Sequence, residues 1–527
     1  MASLIRHTRP STPLLTKHTN LHFSAKHARS LMGLGEIAGV VANPAETLRQ
    51  LNESKEMLRK AKEDHELTQE AKKIPRKHTF SKLPGFHGRK NEQALFRRIL
   101  SNDPRLSVIF GATSVGKTAL LREVLATDDF YVIKFDLRIS GFADLRTLYL
   151  TLCEQFERFF EEMHDEEMDK SKLTFKHLVL ELNEKESTEK GYTVTVADLA
   201  SLMESLQSCL LKYWEYDPES QKEEKQTEDS HLDQPAERRA DTKAEQKQGE
   251  ASKDKPAFRK KPIVFLLDEA HKLPALVDDL LSLKAFLDCL LVLSKQDRLC
   301  HVILCTSDSF FQHFLRQMNI GHHAQLMTIG DCTKEETLLY FLDQMLSSVP
   351  QDLAGKLAFD PIYDAFGGKL SHINDYIASW ANSGGTLTPE TSAIFIQAYT
   401  LLQFHLTRAD FQTFSPLSTA TDGTSTEDDG QKFSPDNLLY VMKKMVKEPY
   451  SLPYFKLCRD IGTAQVDSMI KTRILELRWI RSVTDEHEGS PEHVWSKDGV
   501  ERPVVMPMTK IIRKAMEVIL KEEGETE

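Results

Sequence analysis

Four residues of this 527-residue chain have the types and settings needed to handle a phosphate: Lys117, Thr118, Asp268 and Glu269. Lys117 and Thr118 close the stretch Gly111-Ala112-Thr113-Ser114-Val115-Gly116-Lys117-Thr118. Its two glycines let the backbone between them curl so that successive N–H groups point inward. A helix beginning there adds unpaired donors and a positive dipole end, so the loop suits a triphosphate. Lys117 would reach the β- and γ-phosphates as a point charge, and the Thr118 hydroxyl would ligate Mg²⁺. Asp268 would hold Mg²⁺ through its water shell, and Glu269 would polarise an attacking water.

The flanking sequence supplies the elements such a site requires. Leu106–Phe110 is an apolar run that reads as a strand, and Ala119–Leu125 has a helical pattern, giving strand, glycine-bounded loop and helix in order. Pro262–Leu267 is continuously apolar, as in a strand buried on both faces of a parallel sheet, and it ends in Asp268-Glu269 where ligands collect in open α/β sheets. The bland alternatives are a chance match in an ordinary strand-turn-helix and a solvated helix N-terminus opened by Ala270-His271. Further strands are expected at Tyr131–Leu137 and His301–Cys305, with helices over 144–162, 194–216 and 280–293. The fold class expected is therefore α/β, a P-loop NTPase with a parallel sheet flanked by helices, followed by a helical lid and a C-terminal winged-helix domain.

The phrase Phe86-x-Gly88-Arg89-x-x-Glu92, about twenty residues ahead of the loop, resembles the entry segment of archaeal-type ATPases and the related signal-transduction NTPases of the AAA+ group. That resemblance covers roughly residues 80 to 380 and implies ATP as the nucleotide, with Gly88 and Arg89 near the adenine. It implies a sensor role for Thr306 or Ser307 at the end of the His301–Cys305 strand; the alternative is a helix cap, which Asp308 or Ser309 would also serve. It places Lys369, in Phe366-Gly367-Gly368-Lys369, where a cation reaches the phosphates, against the alternative of a helix break with a solvated lysine. Where the family often has Gly-Arg, this chain has Gly321-His322-His323, with Arg316 the nearest substitute. The two histidines lack partners at metal-ligand spacing and read as loop residues. The function this implies is that of an ATPase coupling nucleotide state to partner binding or remodelling; the alternative is a nucleotide-gated switch or scaffold with little hydrolysis. Asp268-Glu269-Ala270-His271 also spells a DEAH-type helicase motif, but no second RecA-like half or Arg-x-Gly-Arg motif occurs downstream.

The rest of the chain divides by composition. Residues 1–35 lack acids until Glu36 and carry Arg6, Arg9, Lys17, Lys26 and Arg29, as a mitochondrial matrix presequence or a basic tail would; the alternative location is cytoplasmic. Residues 36–79 read as a charged connecting helix, 80–330 as the ATPase core with an insertion at 163–261, whose portion 217–261 is too polar to order. The lid is placed at 331–412, opened by a capping pair of Thr333 and Glu336, a linker at 413–435 and the winged helix at 436–527. In that last unit helices are expected at 438–446, 454–461 and 464–477, with a strand at 479–483. The acids Asp485, Glu486, Glu488 and Glu492 in its wing favour protein contacts over nucleic acid, despite Lys471, Arg473 and Arg478. A net charge of −11 argues against a general nucleic-acid coat. Seven scattered cysteines without a C-x-x-C pair suggest buried thiols, and no apolar run approaches a membrane span. A protein partner or substrate and a homo-oligomer are both compatible with this reading.

Overall fold

The computed structural model of the chain describes residues 80–524 apart from 140–143, 164–165, 189–190, 217–259, 278, 408–432, 481–482 and 484–501. The basic leader, the charged connecting helix, most of the polar insertion, most of the linker and the acidic wing lie outside the described residues.

Five parallel strands form the central sheet: β1 (Leu106–Phe110), β2 (Tyr131–Asp136), β3 (Ile263–Asp268), β4 (His301–Cys305) and β5 (Gln325–Thr328), in the order β2-β3-β4-β1-β5. Strand side chains alternate between two cores. Ile263, Phe265 and Leu267 enter one, Val264 and Leu266 the other, which is why β3 reads as unbroken apolar sequence. Helices α1 (Lys90–Leu100) and α2 (Lys117–Leu125) cover one face. The opposite face is covered by α3 (Leu145–Glu162), α4 (Glu166–Thr188), α5 (Val196–Glu215), α6 (Leu280–Leu291) and α7 (Phe311–Gln317). The order matters for chemistry, because β4 lies between the strand leading to the glycine-bounded loop and the strand ending in the two acids.

The two described edges of the polar insertion meet. Tyr213 Oη donates to Lys261 O at 3.0 Å and accepts from Lys261 N–H at 2.8 Å, so the chain leaves α5 and returns to β3 at one point. Helix α4, which was not expected from the sequence, packs with α3 and α5 through residues such as Phe175, stacked on Phe160 at 5.7 Å. Its outward Leu173 and Leu180 blur the apolar stripe that would have marked it.

Beyond the sheet come α8 (Lys334–Tyr340), α9 (Phe359–Phe366), α10 (Leu370–Asn382) and α11 (Ala393–Leu406). Thr333 and Glu336 cap α8 reciprocally, as their spacing requires. The C-terminal unit comprises α12 (Pro435–Met445), β6 (Leu452–Pro453), α13 (Tyr454–Ile461), α14 (Thr463–Lys471), β7 (Leu475–Arg478), β8 (Val504–Pro507) and α15 (Lys510–Glu522), its antiparallel strands ordered β6-β8-β7. This is a winged-helix arrangement. It shares one continuous core with the preceding helices: Phe366, Ile373 and Leu402 pack in the same cluster as Met442, Leu457 and Ile519. Two expectations are corrected here. The helix expected over 464–477 ends at Lys471, and the strand expected at 479–483 is instead β7 at Leu475–Arg478. Arg473 takes a left-handed φ of 63°, which stops the helix, and Leu475 and Leu477 then alternate inward as a strand.

Candidate active site

The glycine-bounded loop is shaped by contacts that only its own residues permit. A Cβ on Gly111 would stand 2.4 Å from Ile329 O, so the start of the loop needs glycine where β5 exits beside it. Ser114 and Gly116 are left-handed, at φ 61° and 92°, and Gly116 begins α2 without any side-chain cap, which leaves the helix's first donors directed at the loop. Lys117 is buried and its Nζ donates to Gly111 O and Ala112 O at 2.7 and 2.8 Å. Thr113 and Val115 complete the curve; Val115 is buried and Thr113 exposed.

Thr118 Oγ1 donates to Asp268 Oδ2 at 2.8 Å, joining the loop to the end of β3. Glu269 follows in a left-handed conformation, φ 58°, that turns its carboxylate away from the strand line. Ser307 Oγ donates to Glu269 Oε2 at 3.3 Å, and His271 Nε2 lies 3.5 Å from the same oxygen. Burial pushes the His271 imidazole down to about 4, Asp308 opposing and Arg473, Lys272 and Lys117 assisting, so it stays neutral at neutral pH. The two sensor candidates part company. Thr306, fully buried, is tied to its own turn, accepting from Asp308 N–H at 3.0 Å and facing His271 Nδ1 at 3.3 Å, whereas Ser307 reaches Glu269. Asp308 caps the next turn by accepting from Phe310 N–H at 2.9 Å.

Arg89 is brought to the loop as a strut. Its guanidinium donates to Glu92, to Val115 O at 2.7 Å and to Gly330 O at 2.8 Å, all within the interior, and its backbone N–H donates to Glu336. Gly88 precedes it at φ 69°, with the Glu336 side chain against it. Lys369 is buried at the start of α10, its pKa lowered by burial while Asp331 and Glu476 oppose and Lys117 and Arg473 add to the fall. Gly368 lies so close to Cys332 that an added Cβ would stand 1.8 Å from its carbonyl oxygen, and Ser371 Oγ donates to Ser114 O at 3.5 Å, so this turn rests against the loop. The C-terminal unit closes the same side: Ser309 Oγ donates to Leu477 O and Trp479 Nε1 donates to Ser309 O, each at 2.6 Å. Arg316, the candidate replacement for the missing Gly-Arg, lies over the Trp479 ring at 5.5 Å. His323 faces Lys295 at 3.1 Å, and among the described residues no group of three or more His, Cys, Asp or Glu could hold a metal.

One charged residue at the site was not singled out from the sequence. Arg138 donates to Asp136 Oδ1 and Oδ2 at 2.9 and 2.7 Å and approaches Asp268 Oδ2 at 3.5 Å. The signal available was register: Asp136 and Asp268 end neighbouring parallel strands and are direct partners.

This sheet order, with the glycine-bounded loop after β1, the acid pair after β3 and a polar strand end between them, defines a P-loop NTPase of AAA+-like architecture. The family described as an ATPase domain predominantly from Archaea matches residues 86–376, and the chain belongs to it. Nucleotide binding is what that family implies. A comparison with curated proteins gives no match. Among solved structures, the chain is similar to a Walker-type ATPase of Pyrococcus abyssi, at 12% identity and a TM-score of 0.42 over 83% of this chain and 97% of that one. It is also similar to a signal transduction ATPase with numerous domains, bearing a tetratricopeptide repeat sensor, from Pyrococcus horikoshii (12%, TM-score 0.29, 85% of this chain and 44% of that one). A third is the ORC1 protein of Aeropyrum pernix in complex with DNA (10%, TM-score 0.30, 83% and 93%). Family membership rests on the match over 86–376, not on these likenesses.

Proposed function

We propose that the chain is a Mg²⁺-dependent ATPase whose nucleotide state governs a contact with a protein partner or substrate. The observation that carries this is the 2.8 Å bond from Thr118 Oγ1 to Asp268 Oδ2, which sets a hydroxyl and a carboxylate side by side at the mouth of the loop. A hydroxyl and one buried acid, without a larger acidic cage among the described residues, suit a hard cation that takes its other ligands from phosphate and water. When bound, Mg²⁺ would neutralise charge on the terminal phosphates. Lys117 would leave its two loop carbonyls for phosphate oxygens, and the uncapped start of α2 would donate to others. Glu269, held by Ser307, would orient and deprotonate the attacking water, with neutral His271 unable to compete for its charge.

Close packing of the C-terminal unit beside Thr306–Phe310 supports the coupling half of the reading, since a change at Glu269 has a short route through Ser307 to Ser309 and Trp479. A switch with little turnover is favoured by one observation, the placement of the exposed Arg316 over the Trp479 ring at 5.5 Å, which engages that arginine within the chain.

Turnover of ATP by the wild type, Lys117→Ala and Glu269→Gln, with nucleotide binding and molecular mass read on the same samples, tests both. The ATPase reading expects turnover lost in both variants and ATP retained by Glu269→Gln. Binding without turnover in the wild type would leave the switch, and no binding at all would refute the proposal.

A further inference from the structure

Arg138 stands where a structural ion pair alone would not require it. Two bonds to Asp136 already satisfy one edge of its guanidinium, yet the same terminal nitrogen that donates to Asp136 also approaches Asp268 Oδ2, the oxygen that accepts from Thr118. Asp268 is almost completely inaccessible, whereas the Arg138 side chain is 47% exposed, so the cation has solvent on one side and a metal-type carboxylate on the other. Asp136 fixes the pivot, because its carboxylate also accepts from the Arg138 backbone N–H at 3.1 Å.

We propose that Arg138 is the hydrolytic arginine of this site, supplied by the chain itself from the end of β2. Arg138 lies 3.5 Å from Asp268 Oδ2; with a divalent cation held by Thr118 and Asp268, it would be displaced from that carboxylate and, still tethered by Asp136, would turn to the terminal phosphate. A planar fork suits this exchange, since it can hold a carboxylate with one edge and a phosphate with the other. The inference rests on the ATPase reading above and accounts for the missing Gly-Arg without a neighbouring subunit.

The test uses the full chain with Arg138→Gln, Arg138→Lys and Asp136→Asn beside the wild type and Lys117→Ala. Binding of a fluorescent ATP analogue is titrated with Mg²⁺ at one nucleotide concentration, and turnover is measured in parallel. Arg138→Gln is expected to lower the Mg²⁺ midpoint by about threefold or more, because Asp268 loses a competing cation, and to lower turnover by about 100-fold or more. Free guanidinium should restore part of that turnover. Arg138→Lys, retaining charge without the fork, should keep the midpoint near wild type while losing turnover, and Asp136→Asn should lose turnover by a smaller factor. Unchanged turnover in Arg138→Gln overturns the hydrolytic role whatever the midpoint does, and an unchanged midpoint as well leaves only a surface ion pair. Should the wild type bind nucleotide without turning it over, the hydrolytic role is refuted, and the midpoint shift alone decides whether arginine and cation exchange on Asp268. If wild type and Lys117→Ala alike bind nothing, the ATPase reading fails and this inference with it.

Discussion

Arg89 and Glu92 form an ion pair at 2.9 Å in which the two side chains are only 3% and 1% exposed, one helical turn apart at the start of α1. The same guanidinium reaches Val115 O and Gly330 O, so a buried charge ties the phosphate loop to the exit of β5. Removing the arginine strands the acid. We expect Arg89→Ala to destabilise the protein by about 3–5 kcal/mol, and Arg89→Met with Glu92→Leu to lose less than that, because no uncompensated charge remains. Urea denaturation of the three proteins checks this, and equal losses in the single and double variants would contradict it.

Gly368 offers a test of the close-packed turn that leads into α10. Its added Cβ would stand 1.8 Å from Cys332 O, and Cys332 N–H already donates to Gly368 O at 3.0 Å, so the two backbones cannot simply part. Gly368→Ala should lower stability by about 3 kcal/mol or more. Gly355→Ala, with open space around the new Cβ, serves as the neutral comparison in a thermal melt.

For the pair proposed to activate water, Glu269→Gln should reduce turnover by roughly 100- to 10,000-fold while ATP affinity changes little. Ser307→Ala removes only the 3.3 Å bond that orients the carboxylate, so a loss of about tenfold is expected, appearing in kcat and not in KM. A Ser307→Ala enzyme as inactive as Glu269→Gln would contradict a merely orienting role for the serine.

Acid should unfold this protein earlier than its carboxylates alone would dictate. His301 is buried and its imidazole is pushed down to about 4 by burial, with Arg105 assisting, from an ordinary value of 6.5. An unfolded chain therefore takes up a proton below pH 6.5 that the native state refuses. Stability contributed by the neutral imidazole is full above 6.5 and lost progressively as pH falls toward 4, by about 3 kcal/mol at the limit. His301→Asn should flatten the slope of stability against pH between 6.5 and 4; an unaltered slope would show that the histidine charges freely in the native state.

How far the sequence could be read depended on whether a signal was local. The loop from Gly111 to Thr118, the strand ending at Asp268 and the cap of Thr333 with Glu336 are each written in consecutive residues, so type and spacing disclosed them. Arg138 was not legible because its meaning arises from β2 lying beside β3, a pairing between residues 130 positions apart. β5, with only Gln325–Thr328, is too short to show a period. β7 was hidden because Leu475 and Leu477 continue the apolar spacing of α14, and only the left-handed turn at Arg473 separates them. Arg89 was found by its phrase, while its partners, two carbonyls and an acid, became known through the fold.

Tyr213 carries a consequence for the history of such a chain. Because its hydroxyl clasps Lys261 from both sides, the exit and re-entry of the intervening sequence coincide, and the sheet receives the same boundary whatever lies between. Doubling the length of such an excursion adds only about 0.6 kcal/mol of closure entropy. This position is thus a port at which the chain could acquire or shed whole stretches of sequence while leaving the phosphate loop in register with its acids.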